Sequence, residues 1–210
     1  MSSAGSGYPG AVSTSPSSVV RAVTVVADVL RLAVLAGVAV VALSNDVEGA
    51  VRFTLVLLIL LTARRFRIPP PFDLAACLLL PLATMASVWN WYRQLLWLDW
   101  VMHGMATGAL AAMVYLLLVR GPLLPSPHEQ RRASIVILTT LVGMAAGVVW
   151  EFYEWFAEIV VGVHIGVGYE DTIADLAMDT LGSLLAGLGL LAWAAHGHGD
   201  YRGRLLAGES

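Results

Sequence analysis

Apolar stretches follow one another along nearly the whole chain, each close to the roughly 20 residues that an α-helix needs to cross a bilayer. Only short loops separate them, marked by SNDVEG, RIPPP, RGPLLPSP and HGHGDYRG. A backbone in hydrocarbon must satisfy its own hydrogen bonds, so runs of this length leave helices as the economical solution. The expected fold is all-α, a polytopic transmembrane helix bundle of about six spans. Composition agrees, because 13% of the 210 residues are charged, against about 25% in a soluble domain. A net charge of −3 without a basic stretch argues against nucleic acid as a partner. All 12 basic residues are arginine, which reads as codon bias rather than physics. Cys77 is the only cysteine, which excludes an intramolecular disulfide and a cysteine-based zinc site.

The expected spans run from about Arg21 to Leu43, Gly49 to Ala63, Phe72 to Asn90, Leu95 to Val119, Ser134 to Val161 and Thr172 to Ala195. The second is the shortest. In the first, Asp28 and Arg31 lie three residues apart and can neutralise each other on one helix face. Residues 1–18 are rich in Ser, Gly and Pro and uncharged, a disordered tail by composition and a poor signal peptide. Residues 19–197 form the expected helical domain, and 198–210 a cytoplasmic tail. Arginine placement sets the expected orientation. Arg64, Arg65, Arg67, Arg120, Arg131, Arg132, Arg202 and Arg204 fall on one side with both termini, whereas the other loops carry only Arg52 and Arg93. Both termini are thus expected in the cytoplasm, with the protein multi-pass in the plasma (cytoplasmic) membrane and lipids as its surroundings. Trp89, Trp91, Tyr92, Trp97 and Trp100 mark the outer interface.

Against this apolar background stand Asp99 and His103 in LDWVMHG, Glu151 and Glu154 in WEFYEW, and Asp171, Asp175 and Asp179 in EDTIADLAMDTLG. An ionised carboxylate in hydrocarbon costs several kcal/mol unless it is paired, hydrated or metal-bound. The expected topology brings all three motifs to one extracytoplasmic layer. At about 100° per residue, Asp171, Asp175, Asp179, Gly182, Ala186 and Gly189 share one face of the last span. Gly143, Gly147, Glu151, Glu154 and Glu158 share a face of the fifth, and small residues there let backbones approach. Gly104 and Gly108 point away from the Asp99–His103 face and suggest a different contact. Clustered carboxylates repel one another unless cations are supplied, and Arg93 is the only basic residue counted near them. A divalent metal is the natural counter-charge, held by Asp99, His103, Glu151, Glu154, Asp175 and Asp179, with Asp171 as a further candidate. Oxygen-rich sites suit Mg or Mn, and the imidazole admits Zn or Fe. His103 and Asp175 are the candidate catalytic groups, with His103 a proton carrier.

Blander roles compete. An Asp-x-x-x-His pair is often a buried hydrogen-bonded couple. Glu151 and Glu154 can face headgroups, Glu158 can be a solvated helix end, and Asp171 can cap the last span. His164 sits in the loop between the acidic helices, where an ordinary loop histidine is the simpler reading. His128, His196 and His198 fall on the cytoplasmic side.

The run LDWVMHGMATGAL, then WEFYEW, then DTIADLAMDTLGSLLAG, resembles the uncharacterised YjdF-type inner-membrane proteins and, more distantly, the VanZ-like family associated with teicoplanin resistance. The similarity spans about residues 98–187. It implicates Asp99, His103, Glu151, Glu154, Asp171, Asp175, Asp179 and Gly182, and implies a multi-pass membrane protein without an established activity. Trp100 stands where VanZ-like chains usually carry Lys, and Asp179 where they carry Asn, which favours the YjdF-type branch. Three functions remain open. The first is a metal-dependent centre acting on a lipid or lipid-linked substrate. The second is a non-enzymatic accessory or structural protein, and the third a transporter with a carboxylate relay. No serine-nucleophile motif, HExxH or glycine-rich phosphate loop selects a reaction. Oligomeric state is also left open.

Overall fold

A computed structural model describes residues 18–196. The expected tails, 1–18 and 198–210, lie outside the described residues except for Ser18, which is already helical; residue 197, the last of the expected helical domain, also lies outside them. The chain runs α1 (Ser18–Leu43), α2 (Val47–Arg65), α3 (Pro70–Val88), a single turn α4 (Trp91–Gln94), α5 (Leu96–Arg120), α6 (Arg132–Trp155) and α7 (Tyr169–Ala195). No strand occurs among the described residues. Five of these helices are long and apolar enough to cross a membrane: α1, α3, α5, α6 with its extension, and α7. Helix α2 has 19 residues but carries Glu48, Arg52, Arg64 and Arg65, which is why its apolar signal is weak. Its partners in the bundle are α1 and α3.

Local chemistry sets the ends. Asp46 accepts the Gly49 N–H at 2.9 Å and caps α2. Pro70 and Pro71 open α3, where a missing N–H costs nothing. The fifth span is not one regular helix. After Trp155 it widens into a π turn, Phe156–Val161, closed by Gly162 at φ +83°, a conformation that favours glycine. Glu158, expected to be merely solvated, accepts the Gly166 and Val167 N–H groups at 2.6 and 2.8 Å and ties down the loop to α7.

Polarity is inverted relative to a soluble protein. Val149 on α6 is 66% exposed, as are similar apolar residues around the bundle, while Arg31, Arg52, Asp73, Glu151, Asp175 and Asp179 are buried. Helix α5 lies at the centre, with Met113, Tyr115 and Leu116 fully enclosed, and packs against α3, α6 and α7. Glycines let α7 press into its neighbours. A Cβ on Gly108 would lie 2.7 Å from the Gly182 carbonyl, and one on Gly182 would overlap the Gly104 carbonyl. Gly104 and Gly108 therefore belong to the α5–α7 crossing rather than to a separate contact. A Cβ on Gly143 would overlap Ser183, and one on Gly147 would overlap the Asp179 carboxylate, so α6 closes on the other side of α7. A Cβ on Gly189 would meet nothing within 4 Å, and the glycine that packs at that end is Gly187, where a Cβ would lie 3.0 Å from Val136.

At the bundle end formed by α1, α2 and α3, Arg31 pairs with Asp28 at 3.1 Å, as its spacing suggested, and also with Asp73 and the Leu60 carbonyl. Arg64 reaches the other Asp28 oxygen at 3.0 Å. These ion pairs fix the end of the bundle remote from the motifs of α5, α6 and α7.

Candidate metal centre

The alternating helices place the start of α5, the end of α6 and the start of α7 at one end of the bundle, and the side chains converge there. His103 is the hub. Its Nδ1 lies 3.2 Å from Asp179 Oδ1, and its Nε2 lies 3.8 Å from Asp99 Oδ1 and 3.9 Å from Asp175 Oδ2. Thr107 Oγ1 donates to the same Asp179 oxygen at 2.6 Å. Asp179 Oδ1 thus accepts from Thr107 and stands within hydrogen-bond range of the imidazole, which it orients. A proton on Nδ1 toward Asp179 leaves the Nε2 lone pair facing Asp99 and Asp175, the carboxylate–histidine arrangement that commonly orients a metal-binding imidazole.

Asp99, His103 and Asp175 form the only group of three potential metal ligands among the described residues, with one ligand atom from each within 4.8 Å of the others. Two ligands about 2.1 Å from a common ion stand no more than about 4.2 Å apart, and both His103–carboxylate separations satisfy that limit. Asp175 is 1% exposed and Asp179 is fully buried, yet Asp175 Oδ1 and Asp179 Oδ2 have no hydrogen-bond partner. Buried carboxylate oxygens without partners are costly and call for an explanation, which a cation or a proton supplies.

Glu151 borders this group from α6. Its Oε2 accepts from Thr172 Oγ1 at 2.7 Å, while its buried Oε1 has no partner. Asp171 is half-buried one turn before Asp175. It does not cap α7, because the helix starts at Tyr169 with Gly168 in the capping position, and its place as a cap must be given up. Glu154 turns toward Arg52 instead, with Oε1 3.5 Å from Nη1.

Arg52 is the residue that sequence reading missed, having been counted as a loop charge. It is 2% exposed, pairs with Glu48 one turn earlier, and donates to Ser87 Oγ at 2.8 Å. Its guanidinium lies 5.0 and 5.2 Å from the Trp150 and Tyr153 ring centres, a cation–π geometry. Tyr153 OH donates to Glu48 at 2.7 Å. The acidic end of the bundle therefore does contain a basic residue besides Arg93, and the i, i+4 spacing of Glu48 and Arg52 was the signal available. His164 contributes its backbone carbonyl, accepting from Arg93 at 3.2 Å, and remains a loop residue.

A cleft of about 550 Å³ lies beside the centre, bounded by α2, α3, α5 and α6 and by Tyr92 of α4. Asp99 and His103 form part of its wall together with Arg52 and Glu154, and most of the remaining wall is apolar. Burial pushes the Tyr92 phenol upward, and its OH donates to the Ala83 carbonyl at 2.9 Å.

A family model described as "Predicted membrane protein (DUF2238)" matches residues 20–196. Comparison with curated proteins and with solved structures finds no match.

Proposed function

Since the chain belongs to the DUF2238 family of predicted membrane proteins, whose description carries no activity, we propose a function from its site: a divalent-metal centre acting on a lipid or lipid-linked substrate. The observation that carries this reading is the convergence of Asp99, His103 and Asp175 with an unpartnered, buried Asp175 oxygen. Those three residues would hold the ion. Asp179 and Thr107 position the imidazole, and Glu151 Oε1 offers a further oxygen at the rim. The oxygen-rich set with one nitrogen suits Mg or Mn, and Zn or Fe by virtue of the imidazole. A bound ion would supply Lewis-acid polarisation or an activated water. Asp99 lies at the wall of the cleft and can hold a proton during chemistry there, while enclosure by α7 and α6 keeps bulk water from Asp175.

Arginine distribution supports the same orientation as before, with both termini in the cytoplasm, α2 completing a sixth span and the centre near the outer face of the plasma membrane. The resemblance to YjdF-type and VanZ-like chains is compatible with this reading and adds no activity.

Metal analysis of protein purified in detergent tests the proposal. About one equivalent of a divalent metal per chain is expected in the wild type, with loss in Asp175→Asn. Absence of metal from both, with Asp175→Asn folding normally, would favour the accessory-protein reading, in which the carboxyls are simply protonated.

A further inference from the structure

We propose that the cleft beside the centre binds a single-chain lipid phosphate, with the hydrocarbon chain in the cleft and the phosphate at the Asp99–His103–Asp175 end. The headgroup half of this inference rests on the metal reading above; the chain half rests on the cleft alone.

Three observations lead there. First, the cleft is amphipathic along its length. Arg52, Tyr92, Asp99 and His103 stand at one end, while Ile59, Leu80 and Leu110 line its deeper part. A volume of about 550 Å³ falls within the range of about 300–1,000 Å³ typical of small-molecule pockets, which bury most of an elongated apolar ligand. Second, the cleft has a lateral mouth. Leu55 on α2 and Val149 on α6 both line it and are 45% and 66% exposed on the lipid-facing surface. Helices α2 and α6 are not among the closely packed pairs of the bundle. They are bridged at the polar end by Arg52 with Glu154 and by Tyr153 with Glu48, which leaves the apolar part of the seam between them open to lipid. A ligand entering there would come from the bilayer rather than from water. Third, the polar end is built for a group that carries oxygen donors. Two carboxylates and an imidazole that hold a hard cation would leave it with coordination positions for phosphate oxygens, whereas Arg52 on the same wall is already paired with Glu48 and Glu154. A neutral headgroup would forgo that coordination. A volume of about 550 Å³ matches one hydrocarbon chain better than two.

The test uses the full chain in dodecyl maltoside, loaded with manganese, and native mass spectrometry with palmitoyl lysophosphatidic acid and monopalmitoyl glycerol as probes. The phosphate lipid is expected to bind at one per chain and to outcompete the neutral lipid by about tenfold or more. Leu110→Trp and Ala83→Phe each fill the apolar part from a different helix, away from the metal ligands. Both should cut lysophosphatidic acid binding by about tenfold or more while retaining manganese. Asp175→Asn should lose manganese and bring the two lipids to equal affinity. Manganese retained, but lipid binding unaffected by both filling variants, overturns the inference and leaves the metal reading standing. Phosphate preference that persists without manganese overturns the headgroup assignment. A wild type that holds no manganese removes the metal reading and the headgroup assignment with it, while loss of lipid in the filling variants would still support the chain site.

Discussion

Replacing Arg52 with methionine keeps the length of the apolar stem and removes the one cation that α2 places beside the acidic end. In the wild type, Arg52 holds Glu48 and Glu154, donates to Ser87, and stacks on Trp150 and Tyr153. Truncating one partner of a buried ion pair costs about 3–5 kcal/mol, mainly because the remaining charge is stranded. The lower end applies here, since Glu48 keeps the Tyr153 hydroxyl and Glu154 borders the cleft. Each cation–π contact adds about 0.5–1 kcal/mol. The expected destabilisation of Arg52→Met is therefore about 4–5 kcal/mol. Arg52→Lys keeps the charge but loses the planar fork, and should cost about 1–2 kcal/mol. Equilibrium unfolding in mixed dodecyl maltoside–SDS micelles reads both. If stranded carboxylates cause the loss, adding Glu48→Gln and Glu154→Gln to Arg52→Met should recover about 2 kcal/mol or more. An Arg52→Met variant within about 1 kcal/mol of wild type, or no recovery in the triple variant, would refute this account of the acidic end.

Two further expectations concern packing and the remote ion pairs. Gly182→Ala drives a methyl group into the Gly104 backbone, so it should cost about 3 kcal/mol or more and release manganese by parting His103 from Asp175 and Asp179. Gly189→Ala meets open space and should be neutral or stabilising by up to about 1 kcal/mol in the same unfolding assay. Asp73→Asn removes one of the two carboxylates that hold the buried Arg31 at the opposite end while Asp28 remains; stability should fall by about 1.5–3 kcal/mol with manganese content unchanged.

The helices were legible because hydrocarbon length and backbone hydrogen bonding allow little else. The candidate site was legible where residues repeat at helical spacing: Asp99 with His103, and Asp175 with Asp179, each one turn apart, do share a face and do meet. The expectation that Gly104 and Gly108 serve a different contact is what failed. Helix α5 is enclosed on several sides, so Gly104 and Gly108 reach α7 although they sit off the Asp99–His103 phase. Arg52 was overlooked because a charge near a span end was read for topology alone, and only the fold shows that Glu154, 102 residues away, is its partner. The π turn after Trp155 and the start of α7 at Tyr169 depend on how the connecting loop folds back onto Glu158, a tertiary contact that no local pattern encodes.

Pulsed EPR of the manganese-loaded protein tests the central claim most directly. Coordination by His103 Nε2 predicts nitrogen hyperfine coupling from one imidazole, abolished in His103→Gln and preserved in His164→Gln. Bound manganese without nitrogen coupling, or coupling that survives His103→Gln, would contradict the centre built from Asp99, His103 and Asp175.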